Sequence, residues 1–99
     1  MIDKATENHP LKHFNIKITG KVQGVFFRDT ARQVARSLGV AGYASNRPDG
    51  SIYIEAEGED QVVDKFLHWC EAGPTWARVD AVEAEPGEVQ GFTKFRARY

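Results

Sequence analysis

His13-Phe14-Asn15-Ile16-Lys17-Ile18-Thr19-Gly20-Lys21-Val22-Gln23-Gly24-Val25-Phe26-Phe27-Arg28 passes through a strand, a loop and the start of a helix. Phe14, Ile16 and Ile18 alternate with Asn15, Lys17 and Thr19, the period of a half-buried strand. Gly20 and Gly24 break the alternation. From there Phe27, Thr30, Ala31, Val34, Ala35 and Leu38 recur at three- and four-residue steps, one face of an amphipathic helix, and Gly39 supplies its stop. Working outward, Val40 to Asn46 and Ser51 to Gly58 read as strands, and Arg47-Pro48-Asp49-Gly50 between them is a tight-turn sequence, so the pair is a hairpin. Glu59-Asp60 opens a second helix with Val62, Val63, Phe66, Leu67 and Cys70 as its apolar stripe, and Gly73-Pro74 ends it. Ala77 to Glu85 is a fourth strand. Val79 and Val82 fall on opposite faces of a perfect alternation, which predicts a bulge or an irregular stretch there. Pro86-Gly87-Glu88 is expected to turn the chain, and Phe95, Ala97 and Tyr99 alternate as a short last strand. The order β-α-β-β-α-β, with that strand added, predicts an α+β ferredoxin-like sandwich: two helices on one face of an antiparallel sheet.

At 99 residues and 11.1 kDa the chain is the size of one domain. Residues 1–12 lack periodicity and read as a flexible tail, which leaves 13–99 as a single domain. With 41% hydrophobic and 27% charged residues the balance is that of a soluble globule. No apolar run approaches a membrane span, and Met1-Ile2-Asp3-Lys4-Ala5 has no apolar core of a signal peptide, so a cytoplasmic chain is expected. Thirteen basic against fourteen acidic residues leave a formal charge of −1, which argues against general attraction to nucleic acid or anionic membrane. One cysteine, Cys70, excludes a disulfide framework and a multi-cysteine metal site. Nothing in the pattern signals oligomerisation, so a monomer is the expectation.

Glycines between a strand and a helix let successive N–H groups converge on one concavity, and the helix N-terminus adds partial positive charge. Arg28 sits in that first turn, where the helix dipole disfavours a cation. An arginine there makes sense if its fork reaches back to an anion in the concavity. The physical reading is thus an oxyanion site, phosphate first. The alternative is a solvated stripe of Arg28, Arg32 and Arg36 at four-residue spacing.

Gly20-Lys21-Val22-Gln23-Gly24-Val25-Phe26-Phe27-Arg28 resembles the first signature of the acylphosphatases at every defining position. Gly42-Tyr43-Ala44-Ser45-Asn46, followed by Gly50-Ser51-Ile52 and Gly58, resembles the second. The closing Phe95-Arg96-Ala97-Arg98-Tyr99 fits as well, so the resemblance covers about residues 13 to 99. It implies the ferredoxin-like fold and hydrolysis of the carboxyl–phosphate anhydride of acyl phosphates, without metal or cofactor. It also implies that the backbone of Gly20, Lys21, Val22, Gln23, Gly24, Val25 and Phe26 cradles the phosphoryl group, that Arg28 binds its oxygens and that Asn46 positions the attacking water. Phosphate and sulfate would compete with substrate. Ser45 departs from the family pattern, which commonly carries a long polar side chain there. A missing cation weakens attraction of an anionic substrate at low salt, and Arg47 is near enough in sequence to offset part of it.

Neither arginine nor asparagine can act as a base near neutrality, and Asp29 and Asp49 read as helix-start and turn residues. The substrate's own phosphate oxygen is then the expected proton acceptor, with positioning and charge stabilisation supplying most of the acceleration. His9, His13 and His68 have no partner at catalytic spacing. Cys70, Trp69, Phe26 and Phe27 are expected in the core, and the terminal carboxylate of Tyr99 is a candidate partner for Arg28. Two rival classes share this element order. An RNA-recognition module would carry stacking aromatics on its central strands, whereas Ser51-Ile52-Tyr53-Ile54-Glu55-Ala56-Glu57 reads as two outward acids and no stacking pair. A phosphate-sensing domain would bind without turnover. Because no His, Cys, Asp and Glu cluster at ligand spacing, hydrolysis of benzoyl phosphate is expected to be unchanged by EDTA; loss of activity restored by a divalent metal would overturn this reading.

Overall fold

A computed structural model describes residues 10–99; residues 1–9 of the tail reading lie outside it. The elements are β1 (Leu11–Lys21), α1 (Phe27–Leu38), β2 (Ala41–Asn46), β3 (Ile52–Glu59), α2 (Asp60–Ala72), β4 (Arg78–Gly87) and β5 (Phe95–Arg98). β1 thus begins two residues before the alternation that marks it, because Leu11 and Lys12 still pair with Glu59 and Gly58. The sheet order is β4-β1-β3-β2-β5, and both helices pack on one face. Ile16 and Ile18 of β1, Ala44 of β2 and Ile52, Ile54 and Ala56 of β3 point at Phe27, Ala31 and Ala35 of α1 and Val63, Phe66 and Cys70 of α2; all are buried.

Two local features follow from side-chain parity. The register of β1 against β4 shifts between Thr19 and Gly20, whose partners are Ala81 and Val79, so Asp80 is the extra residue of a bulge. That extra residue returns both Val79 and Val82 to the core side, as their spacing predicts. Gly20 sits against this bulge at φ 129°, where a Cβ would lie 2.1 Å from the Arg78 carbonyl oxygen, so only glycine fits.

Two expectations change. β4 does not turn at Pro86-Gly87 but continues through both, opposite Phe14 and His13. An edge strand tolerates a proline whose missing N–H would have faced solvent. The sheet is also mixed, since β5 runs parallel to β2. β4 and β5 occupy opposite edges, and residues 88–94 cross the sheet to join them, arriving at the end where β2 starts.

That crossing is tied down on the sheet face opposite the helices. Glu57, 3% exposed, accepts the N–H groups of Gln90 (2.6 Å), Gly91 (2.7 Å) and Phe92 (2.9 Å), and His13 Nδ1 donates to it at 2.8 Å. Gly91 at φ 83° lets the consecutive amides converge into a nest for the carboxylate. The Phe92 ring then stacks on His13 and meets Tyr43 edge-on. Burial pushes the Glu57 carboxyl pKa up, but these donors outweigh it and the net shift is downward. A lowered carboxyl contributes stability that is present above the ordinary carboxylate range and is lost as pH falls through its folded value. Glu57→Gln should cost about 1–3 kcal/mol at pH 7 by urea unfolding. The gap to the wild type should narrow as the pH is lowered to 3, and a gap independent of pH would show that the carboxylate charge is not what holds residues 90–92.

Candidate active site

The loop between β1 and α1 is pinned from both sides. Val22 and Val25 are buried, whereas Gly24, at φ 75°, stands with open space where a Cβ would be. The Gln23 side-chain amide donates to the carbonyls of Arg47 (2.8 Å) and Ser51 (2.9 Å), clamping the loop to the β2–β3 hairpin. The hairpin has its own lock. Asp49 accepts from the Ser51 hydroxyl (2.6 Å) and N–H (3.0 Å), and these bonds, with Lys17 nearby, hold its carboxyl down at about 2. Asn46 ends β2 opposite Ile52, and strand parity puts its side chain on the helix face with Ala44, toward the loop.

α1 opens on Phe26, which adopts the left-handed conformation (φ 62°, ψ 28°) and caps the helix with no side-chain hydrogen bond. Its carbonyl accepts from Thr30 N–H (3.1 Å) and hydroxyl (2.8 Å), while the first-turn N–H groups of α1 point outward, as those of any helix start do. Arg28 follows, half-buried. Its Nη1 donates to the Arg98 carbonyl at 2.8 Å, and its guanidinium lies 4.0 Å from the centroid of the Tyr99 ring. The Tyr99 hydroxyl donates to Asp29, which raises the phenol pKa. Two turns further along α1, Arg36 Nε donates to the Phe95 carbonyl at 3.0 Å. Arg28 and Arg36 therefore tie α1 to β5 and are not members of a merely solvated stripe.

Val22, Gly24, Phe26, Phe27, Arg28, Asp29, Asn46 and Tyr99 line a cleft of about 270 Å³. It joins residues from a loop, a helix start, a strand end and the last residue of the chain. Of the expected cradle, Val22, Gly24 and Phe26 reach this cleft; Gly20 and Lys21 remain in β1, paired with Val79 and Arg78. Gln23 and Val25 do not line it: the Gln23 side chain is bound to the hairpin, and Val25 is buried.

Three readings of side chains change here. Phe26 is not in the core with Phe27: the residue is 74% exposed, because the left-handed backbone turns it outward. Tyr99 meets Arg28 with its ring, and among the described residues no ion pair joins the terminal carboxylate to that arginine. On the opposite sheet face, Glu57 is buried and Tyr43 and Tyr53 do form a ring pair, with centroids 6.1 Å apart. Arg98 lies 3.6 Å above the Tyr43 ring and Arg47 4.2 Å above that of Tyr53, and Glu55 accepts both hydroxyls. Arg47 is thus engaged away from the cleft. No sequence signal marks the Tyr99–Arg28 stack, since the partners are some seventy residues apart and neither pattern refers to the other.

The structure is an α+β sandwich whose strand–loop–helix turn carries Arg28 at the start of α1, beside the cleft. The acylphosphatase family model matches residues 14–97. An acylphosphatase from Archaeoglobus fulgidus is 45% identical over 84 residues, 85% of this chain and 94% of that protein; one from Rubrobacter xylanophilus is 45% identical over 80 residues, 81% and 73% respectively. An acylphosphatase structure from Coxiella burnetii superposes with a TM-score of 0.87 at 31% identity, over 98% of this chain and all of that one. The chain belongs to the acylphosphatase family, hydrolases acting on acyl phosphates.

Because Tyr99 restrains the Arg28 fork, Tyr99→Ala should raise the inhibition constant for phosphate about two- to tenfold, the scale of one cation–π contact. Tyr99→Phe, which keeps the ring and loses only the bond to Asp29, should leave it within twofold; equal effects of both changes would assign the role to the hydroxyl.

Proposed function

We propose that this cleft carries out the family's reaction by holding the phosphoryl group of an acyl phosphate against the loop amides and Arg28 while Asn46 presents a water. The observation that carries the reading is the convergence of Arg28, the uncapped start of α1 and Asn46 on one cleft. N–H groups at a helix start and a planar guanidinium both suit a tetrahedral anion. With Gly20 and Lys21 in β1, the working cradle runs from Val22 to Arg28. One N–H of Arg28 is committed to the Arg98 carbonyl, and the rest of the fork is available to phosphoryl oxygens. Asn46 can accept from a water through its carbonyl and donate through its amide, which orients the nucleophile without acting as a base.

The oxygen of that water forms a bond to phosphorus as the bond from phosphorus to the carboxyl oxygen breaks. The electron pair leaves with the carboxylate, and the water proton passes to a phosphoryl oxygen. No carboxylate or histidine of the cleft is placed to take it: Asp29 holds the Tyr99 hydroxyl, and His13 lies on the other sheet face with Glu57. A carboxylate is a good leaving group, so acid catalysis is dispensable, and the protein's part is to position the reactants and stabilise charge. The same reading takes the chain as a single-domain cytoplasmic monomer, inhibited competitively by phosphate and sulfate. Its one cysteine, buried Cys70, fits a reducing compartment. Among the described residues no helix is long and apolar enough to cross a membrane.

Arg28→Gln should weaken phosphate inhibition and lower kcat/KM for benzoyl phosphate by about 2–5 kcal/mol, with poor rescue by Lys. Asn46→Ala should lower kcat by ~10²–10³ with phosphate affinity nearly intact, the scale for losing one positioned group. If Asn46→Ala lost phosphate affinity while Arg28→Gln kept it, the two roles would be reversed.

A further inference from the structure

Phe26 is the only non-glycine residue with positive φ among the described residues, and it is 74% exposed. A glycine would make this turn without strain, so the turn alone does not call for a phenyl ring. Trp76, 75% exposed, is presented by the turn that Ala77 N–H closes on the Pro74 carbonyl (3.0 Å). Between these two rings lies a groove of about 370 Å³ whose walls include Val25, Phe26, Trp69, Pro74 and Trp76, with Thr30 and Thr75 as its polar side chains and no charged one. Trp69 forms its floor and is fixed there by an edge contact with Phe27 and stacking on Phe66. Two large rings left in water beside a rigid aromatic floor mark a surface that binds something apolar.

Its place relative to the cleft says what. Phe26 is a wall of both the cleft and the groove, so a molecule held in one extends naturally into the other. Displacement at phosphorus brings the nucleophile and the leaving group into line on opposite sides. Asn46 approaches from β2, which lies beyond β3 on one side of β1; Gly73 to Trp76, which line the groove with Trp69, connect the end of α2 to β4, the strand on the other side of β1. A water on Asn46 therefore directs the departing carboxylate toward Phe26 and the groove.

We propose that this groove holds the acyl group, with Phe26 and Trp76 as specificity-determining residues for acyl phosphates that carry an apolar chain or aromatic ring. The inference rests on the phosphate cleft proposed above. A small acyl group such as acetyl offers little apolar surface to the groove, and an acyl group bearing its own charge finds no charged partner there.

The test compares acetyl, hexanoyl and benzoyl phosphate on the wild type, Trp76→Ala and Trp76→Phe. Acetate and hexanoate are equally good leaving groups, so a difference in KM between their phosphates reports contact with the acyl chain. The wild type should show a KM for hexanoyl and benzoyl phosphate at least fivefold below that for acetyl phosphate. Trp76→Ala should raise the KM of the two larger substrates about three- to tenfold, the scale of one aromatic contact, and Trp76→Phe should restore most of it. The KM for acetyl phosphate and the inhibition constant for inorganic phosphate should stay within twofold throughout. Equal KM values for all three substrates on the wild type, or a Trp76→Ala effect shared by acetyl phosphate, would overturn the proposal. Absence of hydrolysis of every substrate would instead overturn the catalytic reading on which it rests.

Discussion

Glu57 accepts hydrogen bonds from three successive backbone N–H groups, and through them this one carboxylate determines where the end of the chain lies. The segment it holds has to cross from one edge of the sheet to the other, with no strand of its own to guide it. Once residues 90–92 are anchored and Phe92 is packed between His13 and Tyr43, β5 has its starting point beside β2. β5 then supplies the Phe95 carbonyl to Arg36 and the Arg98 carbonyl to Arg28, and delivers the Tyr99 ring to the guanidinium. The fork at the cleft is thus held in place from the far end of the sheet. A buried carboxylate is costly unless its lone pairs are filled, and here the backbone fills them.

The rest of the cleft is built on local rigidity. The loop leaves β1 at a glycine wedged against the β4 bulge, dips into the core at Val22 and Val25, and is stapled to the hairpin by the Gln23 amide. The hairpin is in turn locked by Asp49 and Ser51, so the loop and Asn46 are positioned against each other by short, well-satisfied contacts. Such an arrangement needs little rearrangement when an anion arrives, which is what electrostatic stabilisation requires. Under the proposed function, it also accounts for an anion site on a chain with a net charge of −1. The positive potential comes from a helix start and one oriented arginine, not from a general excess of cations.

Several features were legible in the sequence because they depend on near neighbours. Alternation and helical spacing revealed the elements, and the misphased Val79 and Val82 revealed the bulge. An arginine in the first turn after a glycine loop stands against the helix dipole, which is the sequence signal behind the proposed anion site. The second glycine-bearing strand brought Asn46 into consideration only through resemblance, since an asparagine at a strand end has no distinctive pattern of its own. Phe26 was misplaced because an aromatic beside a helix start normally packs inward; the left-handed backbone that turns it out is not written in residue type. Glu57 looked like an outward acid for a similar reason: alternation tells which face a residue is on, but not that a later loop will cover it.

By itself, then, the sequence determined the order of elements and the apolar faces, since each follows from residues a few positions apart. Tertiary structure alone decided that β5 runs parallel to β2, that Arg28 is held by the Arg98 carbonyl and the Tyr99 ring, and that Phe26 stands between two cavities. Those outcomes depend on contacts between segments far apart in the chain. Such contacts are selected by how all the buried surfaces and backbone hydrogen bonds are satisfied together, a condition no local pattern encodes.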